Sequence, residues 1–183
     1  MMDDSCCCVQ FCDSLLESLQ KNTGKTPDEL TARIQDAVRA AMRSRGFQTG
    51  SINVRVCGDD EIRGVNAAVL QHDYATDVIS FPYAMTPPHV EGELISSWET
   101  AVRVVERSSR DNATHDTAAR SEWTPLNELL LYVIHGSLHI CGMDDQTPAQ
   151  RREMRVAEFE SLAAMGISQP TDWDADQIPT EEA

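Results

Sequence analysis

Apolar residues recur along this chain with two different periods. Leu30, Ile34, Ala37, Val38, Ala41 and Met42 return at three- and four-residue intervals, the spacing of one helical face. Thr26-Pro27-Asp28-Glu29 starts that helix with a hydroxyl cap, a proline at the first helical position and a glutamate three residues after the cap, and Gly46 stops it. Residues 51 to 57 alternate instead, with Ile52, Val54 and Val56 inward, as a strand with one buried face does. Gly58-Asp59-Asp60 ends the strand, and Asp59 is placed to cap a short helix through Leu70 whose Ile62, Val65, Val69 and Leu70 face the core. Asn66 interrupts that face; a buried amide must be hydrogen-bonded, so it is expected to pin the loop that follows.

Residues 77 to 83 and 90 to 96 read as two further strands, joined as a hairpin through residues 84 to 89. Residues 98 to 107 carry Ala101, Val102, Val104 and Val105 in a helical pattern, and the polar stretch 108 to 121, with His115, reads as a mobile loop in which that histidine is a candidate for a lid or an additional ligand. Thr124 and Pro125 start a strongly apolar helix that runs to about Ile140. Thr147-Pro148 starts the last one, through Ala164, with Met154, Ala157, Phe159, Leu162 and Ala163 inward and Gly166 at its end. In residues 1 to 26, Val9 and Phe11 fit an edge strand while Leu15, Leu16 and Leu19 fit a helical turn, and the segment carries no firm assignment. Residues 167 to 183 are acidic and aperiodic, which predicts a disordered tail. The pattern predicts a mixed α/β (α+β) fold, a sheet of three or four strands packed with helices, organised as one domain over residues 27 to 166.

Composition narrows the setting. The length of 183 residues suits one domain and 41% hydrophobic content is ordinary for a globular protein. No window approaches the ~18 continuous apolar residues of a membrane span, and the N-terminus lacks the regions of a signal peptide, so a cytoplasmic protein is expected. Cys6, Cys7, Cys8, Cys12, Cys57 and Cys141 do not form a spaced disulfide framework, which favours reduced thiols. The net charge of −15 opposes nucleic-acid binding, but residues 30 to 166 hold 19 acidic against 13 basic residues, so this part carries only −6. Its basic residues are all arginines, and Arg33, Arg39, Arg43 and Arg45 decorate the first long helix, as a solvated face or as a stripe for RNA.

The densest chemistry lies at the end of the apolar helix, where residues 129 to 145 read LLLYVIHGSLHICGMDD. His135 and His139 are four apart, so they stand one above the other on one helical face and can offer two nitrogens to one metal ion. Gly142 can take the left-handed conformation that ends a helix and folds the chain back, which makes Asp144 and Asp145 the next candidate ligands. Three protein ligands and an open position describe a catalytic zinc site; four would describe a structural one.

The string His135-Gly-Ser-Leu-His139-Ile-Cys-Gly142-Met-Asp144-Asp145 resembles the HGxLHLxGYDH signature of the YbeY endoribonuclease family. A second block agrees: Asn66-Ala-Ala-Val-Leu70-Gln-His-Asp73-Tyr-Ala-Thr76-Asp77-Val78-Ile79-Ser80-Phe81-Pro82 is similar to the family's N-x3-R/L-x2-D-x2-TDVLSFP segment, and Gly92-Glu93-Leu94-Ile95 stands where the family usually has GDI. The resemblance covers about residues 28 to 166. It implies a metal-dependent RNase of ribosomal RNA maturation, acting on single-stranded or ribosomal RNA with zinc or another divalent ion such as nickel. Ribosomal proteins are the further partner class, with no membrane or DNA partner. It implies that His135, His139 and Asp145 hold the metal, that Asp144 is the nearest carboxylate for base work, and that the hairpin floors the cleft, where Glu93 and Asp77 are further carboxylates.

Two departures qualify this. The family's third histidine ligand falls on Asp145, giving two histidines and a carboxylate, a donor set zinc accepts. Leu70 occupies a position that is arginine in many members, so Arg55 or Arg63 would have to contact phosphate in its place. A ribosome-associated metal protein without nuclease activity is the competing reading. The same histidine spacing occurs in metzincin peptidases, but the glutamate base that follows their first histidine is Gly136 here, which ranks peptidase chemistry below RNA cleavage.

Overall fold

The computed structural model describes residues 4–111 and 123–168. The chain opens with two short strands, β1 (Asp4–Cys6) and β2 (Val9–Phe11), followed by helix α1 (Asp13–Thr23). Both readings of the N-terminal segment therefore occur in succession, and Leu15 and Leu19 of α1 enter the main core. Next come α2 (Pro27–Ser44), β3 (Thr49–Cys57), α3 (Asp59–Val69), β4 (Val78–Thr86), β5 (His89–Ser97), α4 (Trp98–Asp111), α5 (Pro125–Ile140) and α6 (Pro148–Ala164). The fold is the mixed α/β arrangement expected.

The sheet is four positions wide. β1 and β2 pair in turn with one side of β3, both parallel; β3 pairs parallel with β5; and β4 pairs antiparallel with β5 at the far edge. β4 and β5 form the expected hairpin, but residues 84–86 belong to β4 and the turn reduces to Pro87–Pro88. Asp77 lies just before β4, where its Oδ1 accepts the Val78 N–H and the Thr76 hydroxyl, each at 2.8 Å.

α5 lies at the centre, against β4 and β5 on one side and against α2, α4 and α6 on the others. Its Leu129, Leu130, Val133, Ile134, Leu138 and Ile140 are fully buried, and a helix apolar all round has to be enclosed. Each such leucine stabilises the fold by about 2 to 5 kcal/mol relative to alanine. Gly136 sets how closely α5 approaches the sheet: a Cβ there would stand 2.9 Å from both Ser80 Oγ and Val78 Cγ2.

The opposite sheet face carries a smaller cluster of Cys57, Ile62 and Ile79, covered by α3. One helix cap and several helix faces differ from expectation. Asp59 is the first residue of α3 rather than its cap, which is Gly58; its carboxylate instead accepts from Ser97 Oγ (2.6 Å), Thr100 Oγ1 (2.7 Å) and the Arg103 guanidinium, tying α3 to α4. Val69 and Leu70 are 53% and 50% exposed, because α3 packs through Ile62 and Asn66 and its last turn leaves the core. Val104 and Ala163 also face outward, although both fit a helical period. Asn66 is buried and its Nδ2 donates to Tyr74 O at 2.9 Å, pinning the loop as expected. Helix α4 continues to Asp111 into the expected loop, whose residues 112–121, including His115, lie outside the described residues, as do residues 169–183 of the acidic tail. Among the described residues no helix is long and apolar enough to cross a membrane, and Cys7, Cys8, Cys12, Cys57 and Cys141 are not in disulfides.

In an unencumbered helix interior, Gly→Ala stabilises by about 1 kcal/mol. Gly136→Ala should do the reverse, lowering stability by about 1 to 3 kcal/mol in urea denaturation, because the added methyl must push α5 off β4. An increase in stability would show that the α5–β4 contact has room to spare.

Candidate metal centre

Local chemistry places the histidine pair. Thr124 accepts the Asn127 N–H at 3.2 Å and Pro125 occupies the first turn, fixing where α5 begins. After Ile140 the chain reverses at Gly142, whose φ of 87° is the left-handed conformation glycine adopts without strain. Gly142 N donates to His139 O (2.9 Å) and Met143 N to Leu138 O (3.0 Å), a closed helix end that carries Asp144 and Asp145 back toward the helix. The capping box of Thr147 and Gln150 then starts α6, and Arg151 donates to Asp145 O (3.1 Å) and Gln146 O (2.9 Å), holding the loop from the far side.

These constraints bring three ligand atoms together. His135 Nε2 and His139 Nε2 are 2.9 Å apart, and Asp145 Oδ2 lies 3.7 and 3.9 Å from them. His139 Nδ1 faces Met143 O at 3.0 Å, which only accepts, so Nδ1 carries the proton and Nε2 a lone pair. His135 Nδ1 faces Glu158 Oε1 at 2.6 Å, which assigns the same tautomer. Two lone pairs and a carboxylate oxygen therefore converge, an arrangement that calls for a cation. The circle through three atoms at those separations has a radius of about 2.1 Å, the length of a zinc bond to imidazole or carboxylate. Two neutral imidazoles and one carboxylate are also the donor types zinc and nickel accept, so the residues fit a divalent transition metal. The His135, His139 and Asp145 side chains are 24%, 27% and 39% exposed, which leaves the group open to a substrate.

Glu158, on α6, is the member sequence reasoning missed. It is 1% exposed, and besides His135 it accepts from Arg155 at 2.8 Å, so the buried charge is paired twice. The available signal was an acid on the inward stripe of Met154, Ala157 and Leu162, since a charge enters such a stripe only with a partner. Burial pulls the His135 ring toward its neutral form; the hydrogen bond and charge of Glu158, with the charges of Asp77 and Asp145, outweigh this and hold its pKa above the ordinary value.

Other candidates lie elsewhere. Asp144 is exposed and outside the three-atom group; its Oδ1 accepts the Asp145 N–H at 2.8 Å. Glu93 accepts the Tyr83 hydroxyl at 2.9 Å. Arg55 is bound by Glu61, and Arg63 by both oxygens of Asp73 (2.7 and 3.0 Å), so each guanidinium already holds a carboxylate. At Gly136 the closeness of Ser80 and Val78 leaves no room for the glutamate a peptidase would need there.

Comparison with known proteins gives the chain's relatives. The family model described as "Endoribonuclease YbeY" matches residues 16–166. The chain is 46% identical over 154 residues to an endoribonuclease YbeY of Rhodopirellula baltica, covering 83% of this chain and 74% of that one. It is 34% identical over 139 residues to an endoribonuclease YbeY of Bacteroides thetaiotaomicron, covering 76% and 91%.

Glu158→Gln removes the charge that raises the His135 pKa. In the metal-free protein, NMR titration should show the His135 ring losing its proton at lower pH than in wild type. An unchanged titration would mean that Glu158 does not control this ring.

Proposed function

We propose that this chain, which belongs to the YbeY endoribonuclease family, cleaves single-stranded RNA in ribosomal RNA maturation and quality control, using a divalent metal held by His135, His139 and Asp145. The convergence of two imidazole lone pairs on the Asp145 carboxylate carries this reading. A divalent ion held by these three residues, zinc or nickel, would supply Lewis acidity for phosphodiester hydrolysis.

The chain's own groups do the rest. Glu158 and Met143 O hold the two rings in the tautomer that presents Nε2. The Asp145 carboxylate adds a negative charge to the donor set, where a third histidine would add none. Asp144 is the proposed proton acceptor, exposed and tied to the ligand loop through the Asp145 N–H. The cytoplasm, where ribosomal RNA is processed, is the proposed compartment.

A second reading, a ribosome-associated metal protein that does not cut RNA, draws support from the carboxylates already bound to Arg55 and Arg63 and from Leu70 at the family's arginine position.

Asp145→Ala should lose bound metal as severely as His139→Ala, while Asp144→Ala keeps it; elemental analysis of the purified variants reads this directly. Wild type should cleave single-stranded RNA with zinc and both alanine variants at 144 and 145 should not. Metal retained in Asp145→Ala would remove the third ligand from the proposal, metal binding without RNA cleavage would favour the second reading, and casein cleavage without RNA cleavage would favour a peptidase.

A further inference from the structure

The histidine group leaves unexplained the arginines on α2. Arg33, Arg39 and Arg43 line one side of a groove of about 640 Å³ between α2 and α6, with Asp36 on their own helix and Glu160 opposite. None of the groove's lining residues belongs to the metal group or bonds to it. We infer that this groove, separate from the metal group, is the surface on which the phosphodiester backbone of single-stranded RNA docks. This rests on the RNA-cleaving reading above and names the surface that binds its substrate.

Charge singles out the groove. The chain carries −15 and even residues 30 to 166 carry −6, yet here three arginines meet two acids. A locally net positive patch on an acidic protein favours phosphate binding, because repulsion from charges farther than about 8 Å is screened at physiological salt.

Spacing fits a linear polyanion. At 1.5 Å per residue, positions 33, 39 and 43 lie about 9 and 6 Å apart along the helix axis, so flexible guanidinium arms can follow a backbone of repeated phosphates. Arg39 is bound to Asp36 at 2.7 Å, but both side chains are part-exposed, 30% and 49%, and a surface pair of this kind exchanges readily for a phosphate.

α6 turns Glu160 to the groove and Glu158 to His135, so one helix borders both sites.

The test is binding of a short fluorescein-labelled single-stranded RNA to the full chain in EDTA, so that no cleavage occurs, at several salt concentrations. Arg33→Gln, Arg39→Gln and Arg43→Gln together should weaken binding about tenfold or more and lower the slope of log K against log salt by about 0.7 per arginine. Unfolding in urea should be nearly unchanged, and replacement of all three by lysine should restore most of the slope. With zinc, the glutamine variant should raise KM for RNA and leave kcat intact. Unchanged affinity and slope would overturn the proposal, as would loss of binding to poly-aspartate without loss of binding to RNA, which would assign the groove to an acidic protein segment. A wild type that binds RNA through these arginines but never cleaves it would contradict the nuclease reading and leave the groove standing.

Discussion

Two imidazole lone pairs facing each other at 2.9 Å repel unless a cation lies between them, and much of this molecule is arranged to keep them there. The Nδ1 protons of the neutral rings are committed to Glu158 on one ring and to the Met143 carbonyl on the other. Both partners depend on distant packing. Glu158 needs α6 seated against α5, with Arg155 to share its charge, and Met143 needs the left-handed turn at Gly142. A buried ion pair contributes little net stability, so this polar set makes better sense as a device for orienting the two rings than as a fold stabiliser.

Gly136 links packing to chemistry. A side chain at that position would collide with Ser80 and Val78, so the residue that lets the apolar helix lie on the hairpin also removes the carboxylate that a peptidase would place beside its first histidine. Helix α5 is buried because it is apolar all round, and the group it bears is reachable only where the helix stops.

Wherever local chemistry specified structure, the sequence was legible. Thr26, Thr124 and Thr147 each carry their helix start in neighbouring residues, and all three are observed as caps. The histidine pair and Gly142 were readable for the same reason, since spacing and backbone freedom are local properties. Periodicity failed where an element outruns its partner. Val69 and Leu70 keep a helical period but extend past the core, and Val104 and Ala163 fit an apolar stripe that meets solvent. Asp59 looked like a cap and instead links two helices through Ser97, Thr100 and Arg103, residues some forty positions away that no local pattern announces. Glu158 was missed on the same ground, because its meaning depends on a ring 23 residues earlier in the chain.

The most direct measurement is the metal content of the purified protein by elemental mass spectrometry, after purification without chelators and beside the His135→Ala/His139→Ala double variant. Near-stoichiometric zinc or nickel in wild type, absent from the variant, is the predicted result. Wild-type protein without metal, or a variant that retains it, would contradict the assignment of the histidine pair as the metal centre.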